Sequence, residues 1–137
     1  MRLRAHHLLC LQGFRGLGYD ERFVLVTQEV LEILRINPSL HVKLVDEPDI
    51  LCAACPHHRR GLCTRNGPNT EERVRWQDRE ILKLLGLENG CEATFSWLLK
   101  TVGNKIASND LDRLCTNCQW YSLGYCWEGI ASLRDQA

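Results

Sequence analysis

Apolar residues recur at helical spacing along most of the chain. After Asp20, a side chain suited to capping, Phe23, Thr27, Val30, Leu31 and Leu34 share one face of a helix that Asn37-Pro38 stops. Leu40, Val42 and Leu44 then alternate with His41 and Lys43, the period-two pattern of a short half-buried strand. Thr70 opens a second helix, with Glu71 and Glu72 in its first turn, Val74, Ile81, Leu82 and Leu85 on one side, and Gly86 placed to end it. A third helix is expected over residues 93–102, a short fourth capped by Ser108 or Asn109 runs into Cys115, and a fifth follows Cys126. The segment Arg4-Ala5-His6-His7-Leu8-Leu9-Cys10 also reads as helix, placing His6 and His7 four and three residues before Cys10. The expected fold class is therefore α+β, mainly helical: a small single domain over residues 1–137 with one or two short strands and two cysteine-rich metal-binding loops.

Composition adds little until the cysteines are counted. Lys+Arg and Asp+Glu stand at 17 each, with 45% apolar and 25% charged residues, which fits one ordinary globular domain and argues against a polyanion-coating role. No run approaches the roughly 18 to 20 apolar residues of a membrane span, and the N-terminus lacks a long apolar export core. A cytoplasmic protein with no membrane partner is the expectation. Eight cysteines change the picture, because in a reducing compartment they point to metal or thiol chemistry rather than disulfides.

Six of the eight fall into a repeat. Asp49-Ile50-Leu51-Cys52, Cys55, Gly61 and Cys63 share the template D-x-L-C-x2-C-x5-G-x-C with Asp112-Arg113-Leu114-Cys115, Cys118, Gly124 and Cys126, offset by 63 residues. An ancient duplication and convergence on one loop geometry both account for it. A C-x2-C turn folds back so that two sulfurs reach one metal and backbone amides face them. The third cysteine returns through a turn at Gly61 or Gly124, since glycine accepts positive φ. Inert core cysteines do not come as duplicated triads, and thioredoxin-like C-x2-C pairs need no third cysteine.

Each triad is one ligand short of four. Cys10 can complete one of them. The second is the preferred partner, because Trp120, Tyr121, Tyr125 and Trp127 crowd it and would shield a cluster from water. His57, His58, Cys91 or an exogenous ligand is left to complete the first. The Cys55-Pro56 step and the aromatic surround favour iron–sulfur over zinc, which remains the alternative. Gly13-Phe14-Arg15-Gly16-Leu17-Gly18-Tyr19 forms a glycine-rich turn that could cradle an anion, although it lacks the Lys-Ser/Thr of a nucleotide loop.

Taken together, R-x-H-H-L-L-C-x-x-G-F-R-G-x-G-Y at Arg4 to Tyr19, Leu44-Val45-Asp46-x-Pro48-Asp49 before the first triad, and the G-Y-C ending of the second resemble the small prokaryotic family catalogued as domain of unknown function 1284. The resemblance implies an iron–sulfur cluster, taken here as 4Fe–4S. By that likeness the ligand set is Cys10, Cys52, Cys55, Cys63, Cys115, Cys118 and Cys126, with Cys91 outside the pattern. No substrate or activity comes with it.

Two functions compete. One is an iron–sulfur protein with an unidentified redox or protein partner, whose cluster transfers electrons or acts as a Lewis acid at an open iron. There His6, His7, His57 and His58 are available as nitrogen ligands or acid–base groups. The other is a zinc-stabilised, non-catalytic module for a protein or nucleic-acid partner. Arg59, Arg60, Arg65, Arg73, Arg75 and Arg79 would suit it, yet they equally neutralise thiolate charge and are interleaved with Glu71, Glu72, Asp78 and Glu80, which disfavours nucleic acid. No catalytic triad, carboxylate pair or dinucleotide fingerprint is readable, so no enzyme class is assigned.

Overall fold

The computed structural model describes residues 1–65, 67, 69–115, 118 and 123–135. Within them the order is β1 (Arg2–Arg4), α1 (Ala5–Gln12), α2 (Glu21–Ile36), β2 (His41–Val45), α3 (Ile50–Ala53), β3 (His58–Arg59), β4 (Leu62–Cys63), α4 (Thr70–Leu85), β5 (Glu92–Thr94), α5 (Phe95–Lys105), α6 (Ser108–Leu114) and α7 (Tyr125–Asp135). The class is α+β and mainly helical, with more short strands than the one or two that periodicity reveals.

Local chemistry accounts for most boundaries. Asp20 accepts the Phe23 amide at 2.8 Å and starts α2, while Gly86 adopts φ 73 and ends α4 in the left-handed region. Residues 93 and 94 are strand rather than helix: Ala93 pairs with Val42, and Thr94 caps α5 by accepting the Trp97 amide at 3.2 Å. Neither Ser108 nor Asn109 caps α6, which begins after Ala107, whose amide donates to Asp110 Oδ2 at 2.8 Å. α7 starts at Tyr125 and so includes Cys126 in its first turn.

In the three-stranded sheet β2 is central, with β1 parallel on one edge and β5 antiparallel on the other. β3 and β4 form a separate hairpin whose two-residue turn, Arg60 (φ 52) and Gly61 (φ 76), is left-handed at both positions and so matches the twist of the strands.

α1 runs through the middle of the molecule. Ala5, Leu8, Leu9 and Leu11 are all at most 2% exposed, covering more than one face, as expected of a helix enclosed by α4 and α7. Each leucine buried there contributes roughly 1.5–3 kcal/mol. The crossing of α1 with α7 depends on two glycines. A Cβ at Gly129 would lie 1.8 Å from the Gln12 carbonyl oxygen, and one at Gly13 would lie 2.5 Å from the Cys126 amide nitrogen. Backbone meets backbone at this crossing, which sets Cys10 of α1 beside Cys126 of α7. Among the described residues, no helix is long and apolar enough to cross a membrane.

Candidate metal centre

A cavity of about 550 Å³ opens where α1, α4, α6, the start of α7 and the 52–63 loop converge. Its lining includes Cys10, Cys52, Cys55, Cys63, Cys115, Cys118 and Cys126, and its histidines among the described residues are His6 and His7. All eight cysteines are free thiols. Cys91 lies elsewhere, before β5, with its thiol 3.9 Å from the Glu92 carbonyl oxygen.

Four of the thiols form one group. Cys115 ends α6, and the Cys118 amide donates to the Cys115 carbonyl at 3.0 Å, closing the C-x2-C turn. Cys10 shares a hydrogen bond with Cys126, which raises the Cys10 pKa, reinforced by burial and by the charges of Cys126, Cys118 and Cys115. The same bond lowers Cys126, so the two thiols titrate as a pair. Burial, helped by Cys118 and Cys126, pushes Cys115 up to about 12, while Gln77 Nε2 donates to its sulfur at 3.8 Å. Tyr125 and Trp127 line the cavity here. The Trp120 and Tyr121 shield falls outside the described residues.

The other three line the same cavity from the first loop. Cys52 sits on α3, the Cys55 amide donates to the Cys52 carbonyl at 2.9 Å, and Cys63 is on β4. The His57 amide points at the Cys55 sulfur at 3.4 Å. Burial raises both Cys52 and Cys55. The two repeats thus share the C-x2-C turn and a left-handed glycine, Gly61 at φ 76 and Gly124 at φ 74. Their surroundings differ. Cys63 is on a strand and Cys126 on a helix; Asp49 caps α3, whereas Asp112 lies within α6.

The histidines of the first loop are not those at the cavity. His57 packs edge-on against Tyr19 at 4.8 Å, and His58 borders a separate hollow with Arg2 and Glu47. Arg15 is likewise engaged: it pairs with Glu128 and lies 3.9 Å from the Tyr125 ring centroid, so the glycine-rich turn does not hold it out as an anion cradle.

What sequence reasoning missed is the buried polar frame under the cavity. Arg4 is 1% exposed; its Nε donates to Asp78 Oδ2 at 2.7 Å, and its Nη1 and Nη2 grip Glu71 at 2.9 and 2.7 Å. Glu71 also accepts the Cys63 amide at 2.9 Å, tying β4 to the frame. Burial works against the Arg4 charge, but Glu71 and Asp78 outweigh it and hold the guanidinium protonated. Burial equally disfavours the Asp78 charge, yet His6 and Arg4 keep its pKa below the ordinary carboxylate value. His6 Nδ1 lies 2.7 Å from Asp78 Oδ1, and burial lowers its own pKa, so His6 is neutral and donates. The signal was present in the sequence: Glu71 and Asp78 share the spacing of Val74, Ile81, Leu82 and Leu85, and all six are buried.

The arginines divide accordingly. Arg75 and Arg79 reach Asp46, with Arg75 also beside Glu71, and Arg113 pairs with Glu80. Arg65 donates to the Tyr19 hydroxyl at 3.0 Å, and its charge acts on the Cys118 and Cys63 thiols, bridging the two groups electrostatically.

A family model described as "Protein of unknown function (DUF1284)" matches residues 18–124. Cys52, Cys55, Cys63, Cys115 and Cys118 lie inside the matched span, with Cys10 and Cys126 beyond its ends. No curated protein and no solved structure matches the chain. With well over half of its residues matched, the chain belongs to the DUF1284 family of proteins of unknown function.

Proposed function

We propose that this is an iron–sulfur protein in which Cys10, Cys115, Cys118 and Cys126 hold one cluster, of 4Fe–4S type, and Cys52, Cys55 and Cys63 hold a second centre. The observation that carries the reading is the place of Cys10. Although it is more than a hundred residues from the second triad, it supplies a fourth thiol to that group at the close crossing of α1 and α7. Desolvated Cys10, Cys115 and Cys126, with Cys118 beside them, make a demanding site without metal and a well-matched one with it, since ligation displaces thiol protons.

The size of the space supports a cluster. The cavity of about 550 Å³ that all seven thiols line has room for a multi-atom inorganic core. Thiolate ligands bring negative charge, and Arg65 is placed to offset it. Phe14, Tyr125 and Trp127 line the same cavity with aromatic surface. When bound, such a cluster supplies one-electron transfer, or Lewis acidity at an iron with an open position. A reducing, cytoplasmic setting and a redox protein partner fit this chemistry.

The test is anaerobic purification followed by iron, acid-labile sulfide and zinc analysis with an absorption spectrum. Iron and sulfide in equal amounts with broad visible absorption are expected. Zinc without sulfide would instead select a zinc-stabilised binding module and overturn the cluster reading.

A further inference from the structure

The first triad has three thiols where the Cys10 group has four, and His7 stands beside its Cys52. The ligand atoms of His7, Asp49 and Cys52 all lie within 4.8 Å of one another. Their hydrogen bonds give the three side chains unequal roles. Asp49 Oδ1 accepts the Leu51 and Cys52 amides at 2.9 and 3.0 Å; Oδ2 accepts the Arg4 amide at 2.6 Å and faces His7 Nδ1 at 2.7 Å. A carboxylate offers about four lone-pair positions, and here all are taken. Asp49 therefore has no capacity left for a metal.

Its effect is to orient the ring: with three backbone amides already donating to it, Asp49 faces His7 Nδ1 as an acceptor. His7 Nδ1 is engaged by this carboxylate, so Nε2 is the ring nitrogen that Asp49 does not hold. A carboxylate fixing one histidine nitrogen while the other faces a metal is a recurrent second-layer device in metal proteins. The same aspartate caps the helix bearing Cys52, so ring and thiol are aimed from one anchor. His6 is built differently: its ring is tied to Asp78 and packs 4.3 Å from the His7 ring, and it is not part of the set around Cys52.

We propose that His7, through Nε2, is the fourth ligand of the centre held by Cys52, Cys55 and Cys63, an assignment that rests on the iron–sulfur reading above. The chain would then carry two four-ligand centres, one all-thiolate and one with three thiolates and an imidazole. Exchanging a thiolate anion for a neutral imidazole would remove one negative charge and so raise the potential of a cluster held there relative to the same cluster with four thiolates.

The test compares wild type, His7→Ala, His7→Cys and His6→Ala, all purified anaerobically. Iron and sulfide per chain are measured, the reduced proteins are examined for imidazole-nitrogen hyperfine coupling by pulsed electron paramagnetic resonance, and each centre is titrated. Wild type shows the nitrogen coupling. His7→Ala loses it together with about half of the iron, His7→Cys recovers the iron without the coupling and at a lower potential, and His6→Ala keeps the coupling. The cluster of the Cys10 group, retained in every variant, reports that each chain is folded. Coupling and potential unchanged in His7→Ala, or no recovery of iron in His7→Cys, would overturn the assignment. Absence of iron and sulfide from wild type would refute the cluster reading itself and the assignment with it.

Discussion

Replacing Gly129 by alanine puts one methyl group where α7 crosses α1, and the consequence reaches the thiols. The new Cβ would sit 1.8 Å from the Gln12 carbonyl oxygen, against an ordinary contact of at least 3.4 Å. The helices must separate by about 1.6 Å to relieve it, because the atom it meets is backbone and has no rotamer to change. Overpacking of this kind costs about 3 kcal/mol, the upper part of its usual range. Alanine regains roughly 1 kcal/mol of helix propensity, too little to offset that. At about 3–4 °C per kcal/mol for a domain of this length, the net loss lowers Tm by about 7 °C. Parting α1 from α7 also draws Cys10 away from Cys126, so the cluster proposed for the Cys10 group should be lost while the proposed first centre stays. Gly103→Ala is the matched control, since its Cβ would meet Leu133 Cβ at 3.1 Å and the Leu133 and Arg134 backbone only at ordinary contact distances of 3.5 and 3.6 Å; its Tm should move by about 3 °C or less. Melting by circular dichroism and iron analysis of both variants decide the matter. A Gly129→Ala protein with wild-type Tm and iron content would refute the argument that this crossing builds the site.

Three further outcomes follow from the buried frame and the thiols. Arg4→Met strips the guanidinium from Glu71 and from Asp78, which is 0% exposed, and should cost about 3–5 kcal/mol in urea denaturation; a loss under 1 kcal/mol would mean that the frame is slack. Asp78 has a folded pKa below its ordinary value of 3.8, so the unfolded chain binds the proton more readily. Its contribution is complete above about pH 4 and drains away as pH falls through the lower folded value; metal-free Asp78→Asn should show a shallower acid limb than metal-free wild type, and an identical limb would contradict this. Removing metal anaerobically should lower Tm and leave the 52–63 and 115–126 segments more open to hydrogen exchange, whereas unchanged melting would make the metal peripheral.

The parts readable in the sequence are those with repeated local signals. α2 and α4 declare themselves because their buried residues keep a 3.6-residue period and their ends carry Asp20, Asn37, Thr70 and Gly86. β1 and β5 have three residues each and run directly into helices, which is too short for a period of two to show. The two C-x2-C turns are local and therefore visible. Everything that joins them is long-range: Asp49 is 42 residues from His7 and Asp78 is 72 from His6. Asp78 keeps the spacing of the buried face of α4, but its partner Arg4 is 74 residues away, so the reason for burying a carboxylate is not legible locally. Gly129 is a similar case, because a glycine within a helix reads as a weakness until the Gln12 backbone appears against it.

The most direct test of the central claim is the iron and acid-labile sulfide content of anaerobically purified Cys10→Ser, set beside wild type and Cys91→Ser. Cys10 belongs with Cys115, Cys118 and Cys126, while Cys91 lies outside the cavity. Cys10→Ser is therefore predicted to lose or convert one centre, with a changed absorption spectrum and the other centre intact, and Cys91→Ser to match wild type. Iron, sulfide and spectrum in Cys10→Ser indistinguishable from wild type would contradict the account.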